Sequence, residues 1–142
     1  MSPIETIFCS QYYELKKGGR DAAKGRLNAT ILTSVLLMML LAGFLIILTY
    51  FVPHNPIAAF LKSATRAVGY SRWSGKLLGV GCAAILGLIV WLTFGSKTNY
   101  ERMAVGWDQL PDAVLQKTIR KSLYIFFILF GFFLATTLLL LI

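Results

Sequence analysis

The sequence predicts an all-α membrane protein with three transmembrane helices and short amphipathic surface helices. Three observations predict it: three uncharged runs of spanning length, a mean hydropathy of +0.70 with 57% apolar residues, and charged residues, 14% of the chain, confined to the segments between and before those runs. Once three spans are subtracted from 142 residues, the connections are too short for a separately folded soluble core. No appended catalytic domain is expected.

Residues 1–30 read as an N-terminal amphipathic helix and a basic juxtamembrane segment. Ser2, Pro3 and Glu5 suit N-cap, first helical residue and capping-box partner, so that hydroxyl and carboxylate each satisfy an orphan backbone donor. Ile4, Ile7, Phe8, Tyr12 and Leu15 recur at helical spacing on one side, Lys16 and Lys17 suit the negative end of the dipole, and Gly18-Gly19 stops the helix. Such a helix lies flat on the membrane, docks on a partner, or docks on the protein's own bundle. Cys9 on this helix is read as a free thiol, with reversible acylation as its alternative, and its distance from Cys82 argues against a disulfide framework. The segment lacks the basic stretch, apolar core and cleavage site of a removable signal, so the first apolar run is expected to act as an uncleaved anchor.

The first span is 31–52, whose 22 uncharged residues reach about 33 Å as a helix and cover a hydrocarbon core of about 30 Å. Arg20, Lys24 and Arg26 precede it, Tyr50 and Phe51 supply interfacial aromatics, and Pro53 ends the helical register. Residues 53–76 form a basic loop with an interfacial helix. Asn55-Pro56 starts that helix, Ile57, Phe60, Leu61, Ala64 and Val68 share one face, and Gly69 ends it. Lys62, Arg66, Arg72 and Lys76, with no acid among them, are the residues expected to contact anionic lipid or an acidic partner surface.

The second span, 77–95, reaches about 28 Å and carries Gly79, Ala83 and Gly87 at intervals of four, a small-residue face that lets another helix approach closely. Residues 96–122 form a polar loop and helical extension. Within the turn at 107–111, Asp108 is expected to cap a helix over 109–142, about 51 Å long, that projects from the bilayer before becoming the third span, 123–142. Gly131 and Ala135 give that span its own small-residue pair.

Lys and Arg number five before the first span and five in the second connection, against four in the first connection. That bias places the N-terminus in the cytoplasm and the C-terminus on the opposite side, most simply in a bacterial cytoplasmic membrane. The formal charge of +8 then reads as leaflet orientation and anionic-lipid contact, and no nucleic-acid partner is expected.

None of the three runs contains an ionisable residue, the usual mark of an ion path or proton relay. Their hydroxyls, on Thr33, Ser34, Thr49, Thr93, Thr136 and Thr137, are expected to return to their own helix backbone or to bond between helices. His54 stands alone, so it joins a metal or haem site only if another subunit shares it. No nucleotide-binding glycine loop, nucleophile elbow or paired-histidine motif occurs, and Asp21 and Asp112, which flank different spans on one side, make a conceivable carboxylate pair with nothing to position a substrate or nucleophile between them. No catalytic residue, cofactor or metal is expected, and the chain is not read as an enzyme. The expected role is an accessory, non-catalytic subunit of a multi-subunit integral membrane complex, packing on other membrane subunits through Gly79, Ala83, Gly87, Gly131 and Ala135. The alternatives are a homo-oligomeric pore or small transport component, and an anionic-lipid-interacting membrane protein.

Overall fold

A computed structural model of the chain describes residues 1–52, 56–67 and 72–139. These form α1 (Pro3–Lys17), a 3-10 turn (Ala22–Lys24), α2 (Gly25–Phe51), α3 (Pro56–Ala67), α4 (Arg72–Val90), a π-turn (Trp91–Gly95), α5 (Lys97–Asp108) and α6 (Asp112–Leu138). The helices α2 and α6 are each long and apolar enough to cross a membrane, and α4 with its π-turn, joined to α5 across a 51° bend, adds a third such element if the bent pair is one span.

The start of α1 is chemically fixed. The Glu5 N–H donates to the Ser2 hydroxyl and the Ser2 N–H donates to the Glu5 carboxylate at 2.7 Å, completing the capping box. At the other end Gly19 turns the chain with φ +65°, a conformation that costs a residue with a side chain. Between these limits Thr6, Ile7, Phe8, Cys9 and Ser10 are all buried. Five consecutive residues at 100° each cover the whole circumference of a helix, so α1 is enclosed by protein and is not a helix resting on a surface. Of the roles its modest apolar face allows, docking on the protein's own bundle is the one the structure adopts.

The hub is α2, which packs against α1, α4 and α6, while α1 also fills the angle between α2 and α6. A Cβ built on Gly43 would lie 2.6 Å from the Phe132 ring and 3.1 Å from the Thr136 hydroxyl, so α2 meets α6 through a missing side chain. On another side, a Cβ on Gly95 would lie 2.5 Å from the Thr30 hydroxyl, and one on Gly87 would lie 3.8 Å from the Ser34 hydroxyl. These pairings make α4 antiparallel to α2. Because Leu115 shares a core cluster with Ala29 while Phe132 and Thr136 meet Gly43, α6 is parallel to α2. The N-terminus, α5 and the start of α6 therefore gather at one end of the bundle.

Two boundaries differ from the sequence-based expectation. The helix entering the first uncharged run begins at Gly25, continuing the 3-10 turn before it. The last helix begins at Asp112 and spans about 40 Å where 109–142 would give about 51 Å, because Pro111 at φ −60° and ψ 145° is extended and takes the N-cap position. Asp108 is thus not the cap of α6; it ends α5, a helix within the stretch expected to be a polar loop. Along the apolar runs, Ser34, Thr49, Thr93, Thr136 and Thr137 all donate to carbonyls three or four residues back in their own helices. The buried Thr33 hydroxyl has no partner among the described residues. Between helices, the Ser10 and Ser122 hydroxyls bond at 3.0 Å, joining α1 to α6 in a buried setting.

Gly43→Ala is predicted to destabilise the chain by about 1–3 kcal/mol through overpacking against Phe132. Thermal melting in detergent checks this, with Gly79→Ala, whose added Cβ meets nothing within 4 Å, expected to leave the midpoint nearly unchanged.

Candidate functional site

The chemically richest part of the molecule is the junction where α1, the first turn of α2, the π-turn, α5 and the start of α6 converge. Its interior is aromatic. Phe8 lies 6.0 Å from Phe94 and 6.2 Å from Tyr100, and Tyr12, Tyr100 and Trp107 meet pairwise at centroid distances of 5.6 to 6.2 Å in tilted or edge-on geometry. Such arrangements place ring edges against ring faces, where the quadrupoles attract. Tyr100 also donates its hydroxyl to the Ala22 carbonyl at 3.0 Å, tying α5 to the 3-10 turn. The absence of a side chain at Gly25 makes room for that hydroxyl, since a Cβ there would stand 2.8 Å from it.

The π-turn positions α5 for this packing. Its widened backbone leaves carbonyls off the regular ladder, and the Asn99 side-chain amide donates to the Thr93 carbonyl at 2.9 Å. Ser96 caps α5 by accepting from the Asn99 N–H. With Lys97, Glu101, Arg102 and Asp108 along its length, α5 is too charged for a hydrocarbon environment and belongs at the polar margin of the bundle.

At the rim, Asp108 clamps α1. Its Oδ1 accepts from Lys16 Nζ at 2.5 Å and from the Tyr12 hydroxyl at 2.9 Å, and both partners of the ion pair are about half exposed. The Lys16 ammonium and the Tyr12 hydroxyl hold the Asp108 carboxyl below its ordinary range, and the same contact raises the Lys16 pKa. Deeper in, burial pushes the Cys9 thiol up to about 11. The acylation considered for Cys9 therefore has no accessible nucleophile, because the residue is fully buried.

The junction anchors helices and encloses a thiol. Among the described residues, no three His, Cys, Asp or Glu side chains group as metal ligands. His54 lies outside the described residues. The expected lipid- or partner-contact residues divide: Arg66 on α3 and Lys76 near the start of α4 are exposed, whereas the side chains of Lys62 and Arg72 lie outside the described part. The expected packing residues divide as well. Gly79 and Gly131 face open space, Ala135 is exposed, and Ala83 and Gly87 line a groove between α4 and α2. Sequence reasoning missed Gly25, Gly43 and Gly95, the glycines that make the closest approaches inside the chain. Gly25 carried a signal in its spacing of four from the buried Ala29, whereas Gly43 has no small residue four positions away on either side. Comparison with protein-family models, with curated proteins and with solved structures finds no match for the chain.

Two outcomes follow from this geometry. Folding lowers the Asp108 pKa, so its contribution is present above the ordinary value of 3.8 and is lost as pH falls through the lower folded value. The raised Lys16 contributes below 10.5 and loses that contribution as pH rises through its higher folded value. Melting temperatures of Asp108→Asn should lie below wild type near pH 7, and the difference should shrink on acidification below about pH 4. Separately, in a Cys82→Ala background, Cys9 should resist a polar maleimide at pH 7.5 and react only after unfolding in strong detergent; rapid labelling of the folded chain would contradict its enclosure.

Proposed function

We propose that this chain is a non-catalytic subunit of a larger integral membrane assembly, contributing three spans and packing against other membrane subunits. One observation carries the reading: the small-residue faces of α4 and α6 are not consumed by the chain's own bundle. An added Cβ on Gly79, Gly81 or Gly131 meets nothing within 4 Å, and Ala135 one turn beyond Gly131 is exposed. In lipid, apolar area gains nothing from leaving water, so helices associate where small residues permit close backbone approach and dense dispersion contact. Two open small-residue faces are therefore surfaces suited to helices of other subunits. The spans in this reading are α2, α4 with its π-turn, and α6. The basic residues before α2 and those of α5 and early α6 mark the cytoplasmic end, and the C-terminus lies opposite. Arg66 and Lys76, both exposed, then face anionic lipid or an acidic partner on the far side.

The open positions give a clean test, because an added Cβ there meets nothing within 4 Å. Gly79→Leu and Gly131→Leu should each keep the wild-type melting temperature of the purified chain while shifting it, on native gels of mildly solubilised membranes, from a large complex to its own monomer mass. Wild-type protein already migrating alone, or variants that remain in the complex, would overturn the proposal.

A further inference from the structure

We propose that the chain holds one phosphate-bearing anionic lipid in a two-part site, its headgroup at the turn between α1 and α2 and an acyl chain in the groove between α2 and α4. The polar half is an open cavity of about 730 Å³ lined by Arg20, Asp21, Lys24, Arg26, Leu27 and Asn28, among others. Three cations against one acid leave a net +2 in that lining, enough to favour a phosphate diester of net negative charge over one whose headgroup cation cancels it. The apolar half is a groove of about 470 Å³ whose walls include Ile31 and Val35 of α2 and Ala83, Gly87 and Trp91 of the facing segment. Ala83 and Gly87 leave the space there that larger side chains would fill.

The halves adjoin. The Arg26 guanidinium lies 4.7 Å from the Trp91 ring centroid, so a residue lining the headgroup cavity stacks on a residue lining the groove. Leu27, Ile31 and Val35, spaced by four on one side of α2 and 55%, 55% and 43% exposed, make an apolar strip from one half to the other. From Arg26 to Met38, the deepest α2 residue of the groove, the helix rises about 18 Å, close to half the ~30 Å hydrocarbon thickness. The site is therefore as deep as one leaflet. A soluble phosphate would use the cavity alone and leave the strip and groove unexplained. This inference does not rest on the proposed subunit role, since every residue in it belongs to the isolated chain.

Native mass spectrometry of the delipidated full chain tests it, with phosphatidylglycerol, phosphatidylcholine and inorganic phosphate as the probes. One phosphatidylglycerol should be retained about tenfold more strongly than phosphatidylcholine, and equimolar inorganic phosphate should not displace it. Arg20→Ala combined with Lys24→Ala should abolish the preference, while Ala83→Leu should weaken both lipids and leave the preference intact. Melting curves establish that each variant is folded, and a second groove variant, Val35→Trp, replaces Ala83→Leu should that chain not fold. Equal retention of the two lipids, a preference that survives loss of Arg20 and Lys24, or displacement by inorganic phosphate would each overturn the site.

Discussion

The close approach of α2 to its three neighbours is the constraint on which the rest of this structure depends. In lipid, little is gained by hiding apolar side chains from a solvent that is itself apolar, so a helix pair persists through dense contact and satisfied polar groups. Here α2 meets α6 where Gly43 receives Phe132, and meets the end of α4 where Gly95 receives Thr30. Each contact fails if the smaller partner acquires bulk. The hydroxyls along these surfaces donate into their own helices, so dispersion and shape, with few polar bonds across, hold the apolar part of the bundle together.

At the end that carries the N-terminus, different physics takes over. Helix α1 is enclosed on all sides over Thr6 to Ser10, and an aromatic cluster built from Phe8, Tyr12, Tyr100 and Trp107 joins it to α5. The buried Ser10–Ser122 bond and the exposed Asp108 clamp fix its register against α6 and α5. One consequence reaches the functional reading. Because α1 is spent inside the bundle, the contacts proposed above fall on the small-residue faces of α4 and α6 and on the basic turn before α2.

Much of the helical layout was legible. Uncharged runs mark helices that must satisfy their own backbone in lipid, and the Ser2, Pro3, Glu5 triad marks a helix start by local hydrogen-bonding chemistry alone. What was not legible depends on tertiary partners. Asp108 looks like a cap when only neighbours in sequence are considered; its actual partners, Tyr12 and Lys16, lie more than ninety positions away. The regular spacing of Gly79, Ala83 and Gly87 drew attention to a face that is open at Gly79 and turns toward α2 at Ala83 and Gly87, whereas the isolated Gly43 marks the tightest contact with α6. Periodicity reports a surface, not what covers it. Helix α5 escaped notice although Tyr100, Met103, Ala104 and Trp107 recur at helical spacing on its packed side, because the charged residues among them read as a connecting loop and its start depends on the π-turn and the Ser96 cap.

Helix α1 is an integral part of the bundle, so the lipid and subunit contacts proposed above fall on the basic turn and the small-residue faces. Hydrogen exchange of the chain in lipid nanodiscs reads this directly. Amides of residues 6–13 should be protected on the same timescale as the first turns of α2 and α6. Exchange within seconds over that segment, with α2 and α6 still protected, would show α1 to be a detachable surface helix and contradict the account.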